Sequence, residues 1–278
     1  PELKERSKHV GKYTNRDGFI YPPQISTFEV DNHTRQPTKE IENTSRPANV
    51  FHEIPSHTVT IKQREISQIK LLEESLLVHL LAFINGTRLQ LSQWRFDGRI
   101  PVKSTLNISI SESTQINFIN HVYQWWKNQP ETLKIKFVNV LYFYTRASSL
   151  ENEWDAFIHQ YMTFDAIFSI FSIIYPEKTN KVSGKGKISH EGRFDVMLTH
   201  FNIPFNETKI KSIYKARNEL FHEATWTGEM IGFGPQNDAS YYPYHLARLN
   251  SRLICAISTY TNNFSKSAWW AMGTFGFN

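Results

Sequence analysis

The apolar side chains take on a helical spacing between Gln63 and Asn85. They recur every three or four residues, at Ile66, Ile69, Leu72, Leu76, Leu80 and Phe83. This spacing places them on one face of an amphipathic helix. The pair Asn85-Gly86 predicts the end of this helix, because both residue types tolerate the left-handed conformation that commonly ends a helix. The pattern predicts one helix over this segment.

Alternating patterns predict short strands on either side of this helix. Residues 88–96 alternate with period two, and Ile108 and Ile110 indicate a further short strand. Upstream, residues 19–21 and 25–30 are candidate strands. They lie within a stretch rich in Pro, Asn, Thr and charged residues that shows no sustained period of either kind.

The rest of the chain is predicted to be helical. Helical spacing covers 115–128, 133–149, 151–175, 189–201, 207–223 and 243–264. Breaks fall at Pro130, at Pro176 with the Lys/Gly loop up to residue 187, at Pro204, and at residues 228–243. Successive helices with short connections form an antiparallel bundle. The predicted fold class is therefore mainly α, with a C-terminal antiparallel helical bundle and a small α+β N-terminal region.

These patterns divide the chain into three regions. Residues 1–57 are interpreted as an arm or the end of an upstream β-containing region. Residues 58–128 form a helix-plus-strand unit, and residues 129–278 form the helical bundle. Because the sequence begins with Pro1 rather than Met, we expect the chain to be a fragment or a trimmed product.

Composition and charge narrow the class of protein. Apolar residues make up 40% of the chain and aromatic residues 14%, which is ample for a packed core and argues against disorder. The formal charge of +5 suits a polyanionic partner such as nucleic acid. Lys and Arg are spread along the sequence, however, so the same charge could serve solubility alone.

The sequence offers few ligands for a metal and no candidate membrane span. Cys255 is the single cysteine, which excludes an intramolecular disulfide and a cysteine-based zinc site. The 11 histidines include no pair at ligand spacing on a helix, so we expect no metal. The most apolar run, 164–175, is shorter than the ~18 residues that a membrane span requires. We expect a cytoplasmic protein with no membrane partner.

A basic loop lies at residues 181–187, Lys-Val-Ser-Gly-Lys-Gly-Lys. It lacks the first glycine of a phosphate-binding P-loop and follows no buried strand, which excludes that motif. It is interpreted either as a flexible basic loop or as a loop that contacts RNA phosphates. The candidate RNA contacts are Lys181, Lys185, Lys187 and, on a later helix, Lys215.

An Arg followed five to seven residues later by His occurs three times in the chain, and a pattern this short also matches by chance. Arg46/His52 lies beside a proline that breaks helices, and in Arg193/His200 the Arg is followed by Phe. In the third match Arg217 is followed by the amide Asn218, late on an amphipathic helix. Asn218 and His222 lie four residues apart, so about 40° separates them around the helix axis.

The string Arg-Asn-x-Leu-x-His-Glu over residues 217–223 resembles the HEPN superfamily, and more narrowly the ApeA-like HEPN proteins of bacterial phage defence. The helix over 153–165 is similar to the long first core helix of that group, although Asp165 stands where Glu is expected. The helix before 85 resembles a segment that many members carry ahead of the bundle. The resemblance covers 130–265 best and extends loosely to residue 60.

This resemblance implies a metal-independent endoribonuclease without cofactors, often active as a homodimer or higher homo-oligomer with its sites at the shared interface. RNA carries its own nucleophile, the 2′-OH beside the scissile phosphate. His222 would act as acid or base, Arg217 would stabilise charge on the phosphate, and Asn218 would orient the phosphate or the imidazole. The implied partner is RNA, with tRNA among the candidate targets.

Three other interpretations stay open. Arg217 could form an exposed ion pair with Glu219 or Glu223 while His222 caps the helix end. The domain could also be a catalytically silent HEPN module that binds RNA or a protein partner. A third possibility is a HEPN toxin whose antitoxin modifies a tyrosine two residues after the histidine. Position 224 is Ala, which argues against this form of regulation.

Overall fold

The computed structural model describes residues 19–20, 27–30, 37–41, 68–89, 100–101, 106, 108–150, 152–183, 188–226, 231, 241–271 and 273–278. The chain divides into two compact units. One comprises residues 1–65 and 90–103, and the other comprises residues 66–89 and 104–278. The second unit contains the helices described below.

Short antiparallel pairs form the described part of the first unit. Strand β1 (Phe19–Ile20) pairs with β4 (Ile100–Pro101), and β2 (Thr27–Val30) pairs with β3 (Pro37–Ile41). The strands predicted near residues 20 and 28 are confirmed. The strand predicted over 88–96 falls mostly outside the described residues, and its first two positions are irregular.

The second unit is mainly helical, which confirms the predicted fold class at this level. Its helices are α1 (Gln68–Ile84), α2 (Glu112–Lys127), α3 (Glu131–Ala147), α4 (Glu153–Ile174), α5 (Pro176–Ser183), α6 (His190–Phe201), α7 (Glu207–Asn218) and α8 (Tyr241–Ile257). A five-residue π-turn, Glu219–Glu223, continues α7. Strand β5 (Ile108–Ser109), near the predicted Ile108–Ile110 strand, pairs in parallel with β6 (Phe275–Gly276).

Side-chain caps fix where three of these helices begin. Ser111, Ser189 and Asn206 each accept a hydrogen bond from the backbone N–H three residues later, at the starts of α2, α6 and α7. Such a cap satisfies one of the N–H groups that a helix start leaves unpaired. Helix α6 ends at Asn202 with a φ of 59°, in the left-handed conformation.

Two helix boundaries differ from the predicted ones for reasons visible in the backbone. The sequence pattern placed a break at Pro176, yet α5 begins there, because proline fits the first position of a helix, where its missing N–H is not needed. The last helix was predicted to reach residue 264, but α8 ends at Ile257. Thr259 follows with a φ of 59°, which an α-helix cannot contain.

Helix α4 lies at the centre of the core. It packs against α3 and α8, and it contacts α6 through a stacked aromatic pair, Phe164 and Phe194, with ring centroids 4.0 Å apart. Phe157 and Phe171 of the same helix are also fully buried. This central position determines where the polar residues of α4 meet those of α6 and α7.

Helix α1 belongs to the compact unit that contains the bundle. Its buried residues Leu76, Leu80 and Phe83 join the common core, and the helix packs against α3 and α2. This division differs from the sequence-based boundaries at 57 and 128, because the apolar face of α1 is covered by bundle helices.

Among the described residues, one helix is long and apolar enough to cross a membrane by length and composition. It is α4, with 22 residues and a mean hydropathy of 1.3 over its most apolar window. The uninterrupted apolar run at residues 164–175 is shorter than this helix, so the sequence pattern predicted no membrane span. Core helices of soluble proteins have the same properties, and 44% of this window is buried inside the structure. We interpret α4 as a core helix.

Candidate active site

Polar side chains from α4, α6, α7 and the π-turn meet at one place on the surface of the bundle. They are Tyr161 and Asp165 from α4, His190 and Arg193 from α6, Arg217 and Asn218 from α7, and His222 from the π-turn. We call this group the Arg217 cluster. The structure thus brings together the three predicted catalytic residues, with four further residues that lie far from them in sequence.

The π-turn brings His222 onto Arg217. Residues five apart in an α-helix point about 140° away from each other, because each turn contains about 3.6 residues. A π-turn hydrogen-bonds over five residues and widens the turn. Here the N–H of Ala224 reaches back to the carbonyl of Glu219. Nη1 of Arg217 lies 2.8 Å from Nε2 of His222, which the wider turn brings towards the Arg217 side of the helix.

The guanidinium of Arg217 is the centre of the cluster. Nη1 also donates to Oδ1 of Asn218 at 3.0 Å, and Nη2 lies 3.4 Å from Nε2 of His190. Since arginine has no acceptor, both imidazole Nε2 atoms must present lone pairs to it. The guanidinium carbon also lies 5.2 Å from the ring centroid of Phe221, within cation–π range.

His190 is held on its other side by α4. Its Nδ1 lies 3.2 Å from the hydroxyl of Tyr161 and 3.7 Å from Oδ1 of Asp165. Because Nε2 accepts from Arg217, Nδ1 carries the proton and donates to Tyr161. Arg193 donates from Nη1 to the same Asp165 oxygen at 2.6 Å. Asp165 therefore faces both His190 and Arg193, across the α4–α6 contact.

The surroundings set the protonation states of this group. Burial lowers the pKa of His190, the neighbouring Arg193 lowers it further, and Asp165 opposes them. Burial raises the pKa of Tyr161, and the Asp165 carboxylate adds to that rise. At neutral pH the cluster therefore contains a neutral His190 and a protonated Tyr161 phenol.

The cluster is positively charged and open to solvent. The cluster contains two guanidiniums and one carboxylate; Asp165 pairs with Arg193, so an anion would balance the charge of Arg217. Nε of each arginine is buried and has no acceptor in the described part of the chain. His222 is exposed. The hydrogen bond between Arg217 and His222 is solvent-exposed, and the one between Arg217 and His190 is partly buried.

No family model, curated protein or solved structure matches this chain. Among the residues that the structure describes, no group of three or more His, Cys, Asp or Glu side chains is placed to hold a metal ion. The functional inference therefore depends on the side chains of the Arg217 cluster and on their chemistry.

Of the other two Arg/His matches, the structure describes Arg193/His200. His200 packs against Tyr175, with ring centroids 4.2 Å apart, and Arg193 hydrogen-bonds to Asp165. Arg193 instead belongs to the Arg217 cluster, where the sequence analysis did not place it. One signal was available, since His190 and Arg193 are three residues apart and share a helix face. Arg46/His52 lies outside the described residues.

Of the four candidate RNA-contacting lysines, Lys215 is the one whose side chain the structure describes. The ammonium of Lys215 is exposed and lies 3.5 Å from Oε1 of Glu219, so part of its charge is balanced. Lys185, Lys187 and the side chain of Lys181 lie outside the described residues. Their contact with RNA stays a prediction.

Proposed function

We propose that this chain is a metal-independent endoribonuclease of the HEPN type, acting in phage defence or toxin-like RNA degradation in the cytoplasm. The observation that carries the proposal is the 2.8 Å contact between Nη1 of Arg217 and Nε2 of His222, created by the π-turn. Single π-turns of this kind occur frequently at functional sites. The resemblance of residues 217–223 to the HEPN motif is the basis for proposing the HEPN type and the role in phage defence.

The chemistry of the cluster suits cleavage of RNA. Attack of the 2′-OH on the adjacent phosphorus needs a base for its proton and an acid for the departing 5′-oxygen. It also builds negative charge on the phosphate, which a guanidinium binds through two parallel N–H donors. Arg217 supplies the guanidinium and His222 supplies an acid–base group. Asn218 holds Nη1 of Arg217 in place.

The ion-pair interpretation has less support than catalysis. Within the described residues, Arg217 forms no ion pair with Glu219 or Glu223, and Glu219 faces Lys215 instead. The terminal nitrogens of Arg217 contact an amide and two imidazoles, which leave its positive charge uncancelled. An uncancelled guanidinium beside bases is suited to a phosphate ligand.

A catalytically silent module that binds RNA or a protein partner is the second candidate. One observation favours it, since Arg217 donates to the Nε2 atoms of both histidines and so occupies the lone pairs that a base would use. Catalysis requires a bound phosphate to take over these donors. A silent module would bind RNA and leave it intact.

We further propose that the active form is a homodimer formed through the face that bears Asn218 and His222. Beside them Phe221 leaves 46% of its surface exposed, an apolar area that a second copy would cover. Sedimentation equilibrium over a range of concentrations should show a dimer, and Phe221→Glu should shift it towards monomer. A wild-type monomer that cleaves RNA at every concentration would contradict the dimer.

The decisive experiment is incubation of the purified chain with total RNA and with tRNA in EDTA. We expect cleavage that leaves a 2′,3′-cyclic phosphate and a 5′-hydroxyl, because the 2′-oxygen is the nucleophile. DNA of the same sequence should stay intact. Cleavage of DNA, or a requirement for a divalent metal, would overturn the proposal. Binding of RNA without cleavage would favour the silent module.

A further inference from the structure

The Arg217 cluster contains a second imidazole besides His222. His190 Nε2 lies 3.4 Å from Nη2 of Arg217, and His222 Nε2 lies 2.8 Å from Nη1. The two imidazole nitrogens are thus brought to the two ends of one guanidinium fork. A phosphate bound by that fork would have one imidazole near each side.

We propose that His190 is a second catalytic residue, which accepts the proton of the 2′-OH, while His222 protonates the leaving 5′-oxygen. This inference rests on the proposed RNA cleavage and assigns separate roles to the two histidines. It also explains why α6 contributes to a site whose motif lies on α7 and the π-turn.

The surroundings of His190 suit a base. Its Nδ1–H donates to Tyr161, and Asp165 lies 3.7 Å from the same nitrogen. Tyr161 orients the imidazole through this hydrogen bond, and the negative charge of Asp165 stabilises the imidazolium formed when Nε2 takes a proton. Before that step, burial and Arg193 keep the pKa of His190 lowered, so the ring is neutral. Arg217 and His222 are the other groups that oppose its protonation.

The surroundings of His222 suit an acid. It is exposed, and the hydrogen-bond partner described for it is Arg217. When a phosphate takes over the donors of Arg217, Nε2 of His222 becomes free to bind a proton from solvent. From that position the imidazole can donate a proton to the leaving oxygen.

The step balances without any further reactant. The 2′-OH proton moves to Nε2 of His190 as the 2′-oxygen forms a bond to phosphorus. The bond from phosphorus to the 5′-oxygen breaks, and that oxygen takes the Nε2 proton of His222. The products are a 2′,3′-cyclic phosphate and a 5′-hydroxyl. His190 then loses its proton to solvent and His222 regains one.

The test uses one RNA that the wild-type protein cleaves at a mapped bond, made in two forms. One has the natural 5′-oxygen at that bond, and the other has a bridging 5′-sulfur, which departs without being protonated. On the natural RNA, His190→Ala and His222→Ala should each lose roughly 10²–10⁴-fold in rate. On the sulfur RNA, His222→Ala should approach the wild-type rate, and His190→Ala should stay slow.

The pH profile gives a second readout. Loss of the base should remove the fall in rate towards low pH, and loss of the acid should remove the fall towards high pH. His190→Gln serves as a variant of similar size if His190→Ala does not fold. His121→Ala is the matched control, because His121 is an exposed histidine on α2. It should cleave both RNAs like the wild type.

The outcomes separate the two proposals. A wild type for which no cleaved RNA is found would remove the proposed function, and the role of His190 with it. An active wild type with a fully active His190→Gln would overturn the role of His190 alone. Recovery of His190→Ala on the sulfur RNA would overturn its assignment as the base.

Discussion

Replacing His222 with Ala should lower the rate of RNA cleavage by roughly 10²–10⁴-fold, the usual contribution of one acid–base group. The side chain is exposed on the π-turn and fills no part of the core, so the variant should unfold like the wild type. Single-turnover rates on a labelled tRNA, with thermal unfolding beside them, measure both effects.

Loss of the Arg217 guanidinium should lower the rate of RNA cleavage as much as loss of His222, for a different reason. Arg217→Ala should lose a comparable factor, because the charge that forms on the phosphate is no longer stabilised. Arg217→Lys should recover little, since an ammonium cannot replace a planar fork that reaches Asn218, His190 and His222 together. Asn218→Ala should be milder, because it removes one contact that positions Arg217.

The control for these variants is Lys211→Ala. Lys211 lies on the same helix, is exposed, and pairs with Glu207 one turn away. Its removal changes the net charge by the same amount as Arg217→Ala, so a general loss of attraction to RNA would appear in both. If Lys211→Ala and Arg217→Ala lose the same factor, or if Arg217→Lys keeps full activity, Arg217 does not stabilise the reacting phosphate.

The helical bundle could be predicted from sequence because its helices have apolar faces with regular spacing. The predicted start of the helix at residue 207 agrees with α7, which Asn206 caps with its side chain. Helix α5 could not be read in this way. Its eight residues, Pro176–Ser183, are mostly polar and have no apolar stripe, so the sequence looked like part of a loop.

The candidate site could be predicted only in part. Arg217, Asn218 and His222 lie within one short string and were found by that string. The π-turn was not predicted, because the sequence pattern does not distinguish it from the last turn of an α-helix. His190, Arg193 and Asp165 reach the cluster through contacts over 27 or 28 residues, which no local pattern encodes.

The contact between α4 and α6 combines a buried aromatic pair with two residues of the Arg217 cluster. Phe164 and Phe194 are fully buried and stack with an interplanar angle of 19°. Asp165 follows Phe164 on α4, and Arg193 precedes Phe194 on α6. The apolar pair therefore fixes the distance over which Arg193 and Asp165 form their 2.6 Å hydrogen bond.

Phe194→Ala should lower the free energy of unfolding by about 3–5 kcal/mol, measured by urea denaturation. The substitution removes a buried ring and leaves a cavity against Phe164, which the surrounding helices can only partly close. Phe205→Ala is the matched control, because Phe205 leaves 49% of its surface exposed, and it should change stability by less than about 0.5 kcal/mol. If Phe194→Ala and Phe205→Ala lower the free energy of unfolding by the same amount, the stacked pair does not hold α6 on α4. In the folded fraction of Phe194→Ala, RNA cleavage should also fall, because α6 carries His190 and Arg193 into the Arg217 cluster.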